Sequence, residues 1–284
     1  MTIRKPIVAG QFYPADAKEL EDSIKSSFTH KFGPGGLPKK RGDKNVYGAI
    51  SPHAGYFYSG AGAAHVFKEI AEAEFADTYI ILGVNHSGPW TCSSDEDWET
   101  PLGTVRCDAE LVKKMEEKGV PIKNTPHHGE HSIEVQLPFL QFVSKDRTKD
   151  LKIVPIMIAD TKFEKIGKSI QEAVKELGRK AIIICSSDFT HYGFNYGYVP
   201  FDEDVKENMK KLDGEAIKLI EKADSKGFLD YTEKTGATIC GKCGISVLLW
   251  LMKYKKAELL KYYTSADIIG DYDNAVGYAS IVFI

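Results

Sequence analysis

Several short apolar runs end in side chains that can bind metals or move protons. "VYGAISPH" ends in His53, "YIILGVNH" ends in His86, and "AIIICSSDFTH" delivers Ser186, Ser187, Asp188 and His191. "ATICGKCG" places Cys240 just before a helical pattern. Imidazole nitrogen and thiolate sulfur are donors that transition metals accept. Imidazole also exchanges protons near neutral pH. One histidine at a strand end is ordinary turn chemistry. Three such strand ends mark one edge of a sheet, because open α/β sheets bind ligands outside the carboxyl ends of their strands.

Two further segments bear on the same site. "HHGEHSIEVQ" holds His127, His128, Glu130, His131 and Glu134. Read as a helix starting near Glu130, it puts His131 and Glu134 three residues apart on one face. Cys240 and Cys243 form a Cys-x-x-Cys run, and a helix N-terminus lowers a thiol's pKa. That spacing also allows a reversible Cys240–Cys243 disulfide, which would compete with metal ligation. A thioredoxin-like reading fits poorly, since only ~40 residues follow the motif. A zinc ribbon would need a second such pair. Cys92, Cys107 and Cys185 read as buried thiols, His30 and His65 as structural, and Trp90, Trp98 and Trp250 as packing residues.

The elements that position these residues alternate between strand and helix patterns. A helix is expected over Ala17 to Phe28, then an exposed loop from Lys31 to Asn45 in which the tripeptide Arg41 to Asp43 is a chance match. The first core strand then covers Val46 to Ile50, with a helix from Gly62 to Ala73. "DAELVKKMEEKG" is amphipathic with Asp108 as N-cap. "EHSIEVQLPFLQFV" reads as one apolar helix, "LKIVPIMIA" as a strand, and "KFEKIGKSIQEAVKELG" as a helix stopped by Gly178. Ile80 to Leu82 and Ala181 to Cys185 are apolar without alternation, as in strands buried on both faces. "FTHYGFNYGYVPFDED" is expected to loop over the sheet edge. Helices follow over Asp204 to Ala223, Ser225 to Thr232 and Cys243 to Lys255, and "ELLKYYTSAD" and "GYASIVFI" close the chain as strands. The pattern predicts a single α/β sandwich domain over residues 1–284, built on a central mixed sheet.

Composition narrows the function classes. The 284 residues are 43% hydrophobic and 27% charged, with a net charge of −3 and scattered Lys and Arg. No basic footprint for nucleic acid is present. No apolar run approaches the ~18 residues of a membrane span. The N-terminal stretch lacks a signal-peptide core, so a cytoplasmic protein is expected. Five cysteines form an odd, sparse set unlike a disulfide framework.

In order along the chain, "IVAGQFYPAD", "SPHAGYFYSG", "IILGVNHSG", "HSIEVQLPFL", "SSDFTHYG" and "TICGKCG" resemble the Memo family, the B component of the AmmeMemoRadiSam group. The resemblance spans nearly the whole chain. It implies a fold similar to class III extradiol non-haem-iron dioxygenases and a metal triad of His53, His86 and Cys240. In those dioxygenases the third ligand is a glutamate. The resemblance further implies that His191 matches an acid/base histidine, with Asp188 and His131 in the same pocket. The family's human member has histidine at the position of Cys243 and is associated with phosphotyrosine-peptide recognition. Functional association with other AmmeMemoRadiSam components is a further implication.

The leading expectation is a cytosolic metal-binding redox protein using iron or copper, with zinc as the alternative ion. His53, His86 and Cys240 hold the metal, His191 moves protons, and Asp188 and His131 orient a small-molecule or peptide ligand. One competing expectation is a metal-free hydrolase with Cys240 as nucleophile. Another is a non-catalytic binding module whose pocket is lined by Tyr56, Tyr58 and Tyr192.

Overall fold

The computed structural model describes residues 2–86 and 88–284. The chain begins with β1 (Ile3–Arg4), α1 (Ala17–Thr29), β2 (Gly48–Ser51), α2 (Tyr56–Glu72) and β3 (Thr78–Val84). Three short strands follow, β4 (Cys92–Ser93), β5 (Asp97–Thr100) and β6 (Gly103–Cys107), before α3 (Ala109–Glu117) and α4 (Leu137–Val143). The middle of the chain supplies β7 (Lys152–Ile158), α5 (Phe163–Glu176), β8 (Ala181–Ser186) and β9 (His191–Gly193). It ends with α6 (Val205–Glu221), α7 (Ser225–Thr235), α8 (Lys242–Leu251), β10 (Ala257–Thr264), α9 (Ala266–Ile269) and β11 (Asn274–Phe283).

These strands build one mixed sheet in the order β1-β5-β6-β7-β3-β8-β2-β11-β10, with β4 against β7 and β9 against β11. The run β6-β7-β3-β8-β2 is parallel, and antiparallel strands flank it on both sides. The continuous apolar runs have the expected cause. Tyr79 and Ile81 of β3, with Ile182 and Ile184 of β8, enter the core that holds Leu20 of α1, Phe67 of α2 and Phe139 of α4. Their neighbours Ile80, Leu82, Ile183 and Cys185 enter the opposite core, with Leu111 of α3, Ile170 of α5 and Leu248 of α8. Side chains alternate across a strand, so a sheet covered on both faces needs every position apolar.

Local signals account for most helix starts. Asp16 caps α1 by accepting from Lys18 N at 2.9 Å and Glu19 N at 3.0 Å. Asp108 caps α3 as expected. Helix α5 ends at Glu176, and Gly178 follows with φ of +61°. Arg41 has a role within the fold. It pairs with Asp146 and donates to the carbonyls of Ile70, Ala73 and Val143, tying the 31–45 loop to α2 and α4.

Two expectations change. Residues 130–143 do not form one helix: a 3-10 turn at Glu134–Gln136 leads into α4, and Pro138 lies in the first turn of α4. Glu130 is extended, so His131 and Glu134 do not share a helical face. Trp98 is fully buried, whereas Trp90 is 47% exposed and is not a core residue. No helix among the described residues is long and apolar enough to cross a membrane.

Candidate metal centre

The parallel register brings the chemistry to one edge. Ser51 of β2 lies opposite Ser186 of β8, and Leu82 of β3 lies opposite Cys185 of β8. His53 and Asp188 each stand two residues past the end of their strand, at Ser51 and Ser186, and His86 stands two past Val84. Three adjacent parallel strands therefore release polar side chains side by side, at the edge where such sheets bind ligands.

Cys240 reaches this edge from the turn before α8. A Cβ on Gly241 would stand 2.4 Å from Ser187 Cβ, so only glycine lets that turn sit against the end of β8. A Cβ on Gly83 would meet Ile133 and Ser132 at 2.5–2.8 Å. That close approach lets Ser132 Oγ accept from Val84 N at 2.9 Å and brings Glu130 and His131 over β3.

One nitrogen or sulfur atom from each of His53, His86 and Cys240 lies within 4.8 Å of the others. Cys240 Sγ is 3.4 Å from His53 Nε2 and accepts from Asp188 N at 3.2 Å. Glu130 is fully buried and receives His86 N and His86 Nδ1 on Oε2, each at 2.9 Å, and Ser132 N on Oε1 at 2.7 Å. Its acceptor capacity goes to orienting His86, which leaves His86 Nε2 for a ligand bond. A carboxylate bonded to the far nitrogen of a histidine is the usual support of a metal-binding imidazole. His86, Glu130 and His131 form a second cluster of the same compactness. Glu130's three hydrogen bonds make it a support there rather than an open ligand.

The electrostatics follow from burial. Desolvation lowers the pKa of His53 to about 4, so its ring is neutral at neutral pH. Burial also lowers His131. For His86 burial pulls downward, but the bond and charge of Glu130 outweigh it and the pKa is raised. The same bond holds Glu130 well below the carboxylate range despite its own burial. The expected lowering of Cys240 does not occur. Burial, followed by the charge of Asp188, pushes this thiol far above its ordinary value. Cys240 precedes Gly241, the N-cap of α8, and the helix end does not offset desolvation. A coordinated ion reverses that balance, because a metal-bound thiol is deprotonated.

A cavity of about 460 Å³ opens on this cluster. His53, His86, His131, Asp188 and His191 all line it, so these five share one space, and Cys240 lies behind it beside His53. His131 stacks on His86 at 5.0 Å between ring centroids. Asp188 Oδ1 accepts from His53 N at 2.8 Å. His191 Nδ1 lies 2.9 Å from Phe189 O and 3.1 Å from Thr238 O. Both are carbonyl acceptors, so Nδ1 carries the proton and Nε2 is the acceptor nitrogen of the neutral ring. Tyr58 lines the cavity as expected, with Tyr196 and Tyr278. Tyr56 and Tyr192 do not. Tyr56 is buried and donates to Val135 O, and Tyr192 donates to Phe201 O.

His127 and His128 lie apart from the cluster. His127 is buried beside Trp98, and Cys92 Sγ lies 3.9 Å from its Nε2; His128 contacts Glu96. Cys92, Cys107 and Cys185 are buried as expected. Cys240 and Cys243 are both free thiols, and Cys243 packs against the core shared by α5 and α8. Helical spacing from His131 points to Glu134, whereas it is Glu130 that supports His86. Glu134 is bound to Arg4, to the backbone N–H groups of Ile7 and Val8, and to Tyr13 OH. The available signal was the position of Glu130 beside His131, without helical periodicity to interpret it.

Residues 4–282 match the family model described as Memo-like protein. The chain belongs to the Memo family. It is 40% identical to a MEMO1 family protein of Methanopyrus kandleri, with 99% of this chain and 98% of that protein covered. It is 38% identical to a MEMO1 family protein of Pyrococcus furiosus over the same shares. A MEMO1 family protein of Methanosarcina mazei is 40% identical, with 99% of each chain covered. The Memo family resemblance seen in the ordered motifs therefore holds over the chain's length.

Proposed function

We propose that this Memo protein is a metalloprotein in which His53, His86 and Cys240 hold one transition-metal ion, iron or copper, for redox chemistry on a small-molecule or peptide ligand. The observation that carries this reading is the convergence of two imidazoles and one thiol within 4.8 Å, with both imidazoles lining a cavity. The donor set fits such an ion. His86 has its Nδ1 committed to Glu130, and Cys240 Sγ lies beside His53 Nε2. Two imidazoles and a thiolate suit iron, copper or zinc rather than magnesium. When bound, such an ion supplies redox capacity and coordination positions for a ligand.

The surrounding residues have separable tasks. His191 presents Nε2 as a proton acceptor at the cavity, with its ring held by the carbonyls of Phe189 and Thr238. Asp188 fixes the backbone of His53 and supplies negative charge at the cavity wall. His131 stacks on His86 and restricts its ring. A metal-free cysteine nucleophile is the weaker reading, because burial keeps the Cys240 thiol protonated.

Anaerobic loading with Fe(II), Cu(I) or Zn(II), followed by mass-spectrometric metal analysis, tests the ligand set. Wild-type protein is expected to bind one equivalent. His53→Ala and Cys240→Ala are each expected to lose it. Full retention by either variant overturns the triad, and preference for zinc over both redox ions overturns the redox reading.

A further inference from the structure

The structure assigns Ser186 as the positioning residue that fixes the ring proton of His53 on Nδ1, and we propose that this hydroxyl prepares Nε2 as the metal donor. The inference rests on the ligand set proposed above and extends it to a neutral, buried residue at the end of β8.

A serine hydroxyl has one proton to donate and two lone pairs that accept. Ser186 Oγ has three partners that together use this capacity. Ser132 O, at 2.7 Å, is a carbonyl and can only accept, so it takes the hydroxyl proton. Gln136 Nε2, at 2.8 Å, donates to one lone pair. The orientation of that amide is fixed by Pro52 O at 3.0 Å and Ser51 O at 3.4 Å, since turning it over would aim Oε1 at two carbonyls. The remaining lone pair faces His53 Nδ1 at 3.0 Å. With the hydroxyl proton already used, that contact is a hydrogen bond only if Nδ1 carries the hydrogen. In the neutral ring Nε2 is then unprotonated, and it is the nitrogen 3.4 Å from Cys240 Sγ.

The two histidines thus reach one tautomer by different means. His86 uses the buried carboxylate of Glu130, and His53 uses a serine whose proton is held by a backbone carbonyl. Ser186, Gln136 and Ser132 are all buried, so bulk water does not replace any of these partners.

Nitrogen-15 NMR of the imidazoles in metal-free protein at neutral pH reads the tautomer directly. Wild-type His53 is expected to show hydrogen on Nδ1 and an unprotonated Nε2. Ser186→Ala is expected to move population toward the Nε2–H form and to weaken Zn(II) binding about 10- to 100-fold in a chelator competition. Ser186→Thr, which keeps a hydroxyl, is expected to restore the tautomer. An Nε2–H ring in the wild type overturns the assignment and requires no variant to fold. An unchanged Nδ1–H tautomer in folded Ser186→Ala overturns it as well. If the tautomer shifts as expected while His53→Ala keeps full Zn(II), the hold of Ser186 on the proton is supported and the metal ligand set is overturned.

Discussion

At the residue scale, burial sets the chemistry of the site and is also a source of pH dependence near it. Asp213 on α6 is fully buried and accepts from Thr190 Oγ1 at 2.5 Å and Tyr262 OH at 2.7 Å. Desolvation raises its pKa to about 6, although these bonds pull it down. A carboxyl raised on folding favours the folded state below its unfolded value of 3.8, and that contribution is lost as pH rises through about 6. The shift corresponds to roughly 3 kcal/mol. Urea unfolding of wild type and Asp213→Asn is therefore expected to diverge between about pH 4 and about pH 7.5, with the wild type losing relative stability as pH rises. A difference that does not change with pH contradicts the assignment.

At the element scale, the precision of the site depends on how closely the turns approach the sheet. The Cys240 turn touches β8 only because residue 241 has no side chain, and Gly241 N donates to Ser187 Oγ at 3.0 Å. Gly241→Ala would put a methyl group 2.5 Å from Ser187 Oγ and 3.0 Å from Ser186 O. Backbone must move to accommodate it, at a cost of about 1–3 kcal/mol. The variant is expected to unfold at lower urea and to bind Zn(II) more weakly, because the displaced turn carries Cys240. Unchanged Zn(II) affinity with reduced stability would separate the turn from the site. Sequence periodicity had placed α8 and β8 near their observed spans, since an apolar helix and an apolar strand have distinct signatures. The 130–143 segment departs from that pattern because its apolar content resembles a helix, while Glu130 is extended and residues 132–133 turn, tied down by side-chain contacts. Among these are Glu130 with His86 and Ser132 with β3.

At the scale of the whole molecule, the first residues of the chain help hold the segment that carries Glu130 and His131. The side chains of Arg4 and Glu134 are fully buried as an ion pair. Arg4 also donates to His127 O at 3.2 Å and to Glu130 O at 2.7 Å. Glu134 accepts from Ile7 N, Val8 N and Tyr13 OH. The N-terminal segment and the 127–136 segment thus brace each other. Arg4→Leu leaves Glu134 buried without its cation and is expected to cost about 3–5 kcal/mol in urea unfolding. A loss below about 1 kcal/mol would show that Glu134 is stabilised by its backbone and tyrosine donors alone.

The alternation of strands and helices, the doubly buried central strands and the ordered motifs of the family are all legible in the amino-acid order. Those features depend on the period of apolar residues and on short local patterns. That order also selects His53, His86, Asp188 and His191 as strand-end residues, because a strand's carboxyl end is visible in one dimension. That β2, β8 and β3 are neighbours in register, which brings those ends together, is visible in the folded chain alone. The fold also separates Glu130, which supports His86, from Glu134, which pairs with Arg4, and shows the bonds of Ser186. The sequence separations of those partners run from 44 to 133 residues. Hydrogen bonds and burial act between groups that the fold brings close, and no local sequence period records them.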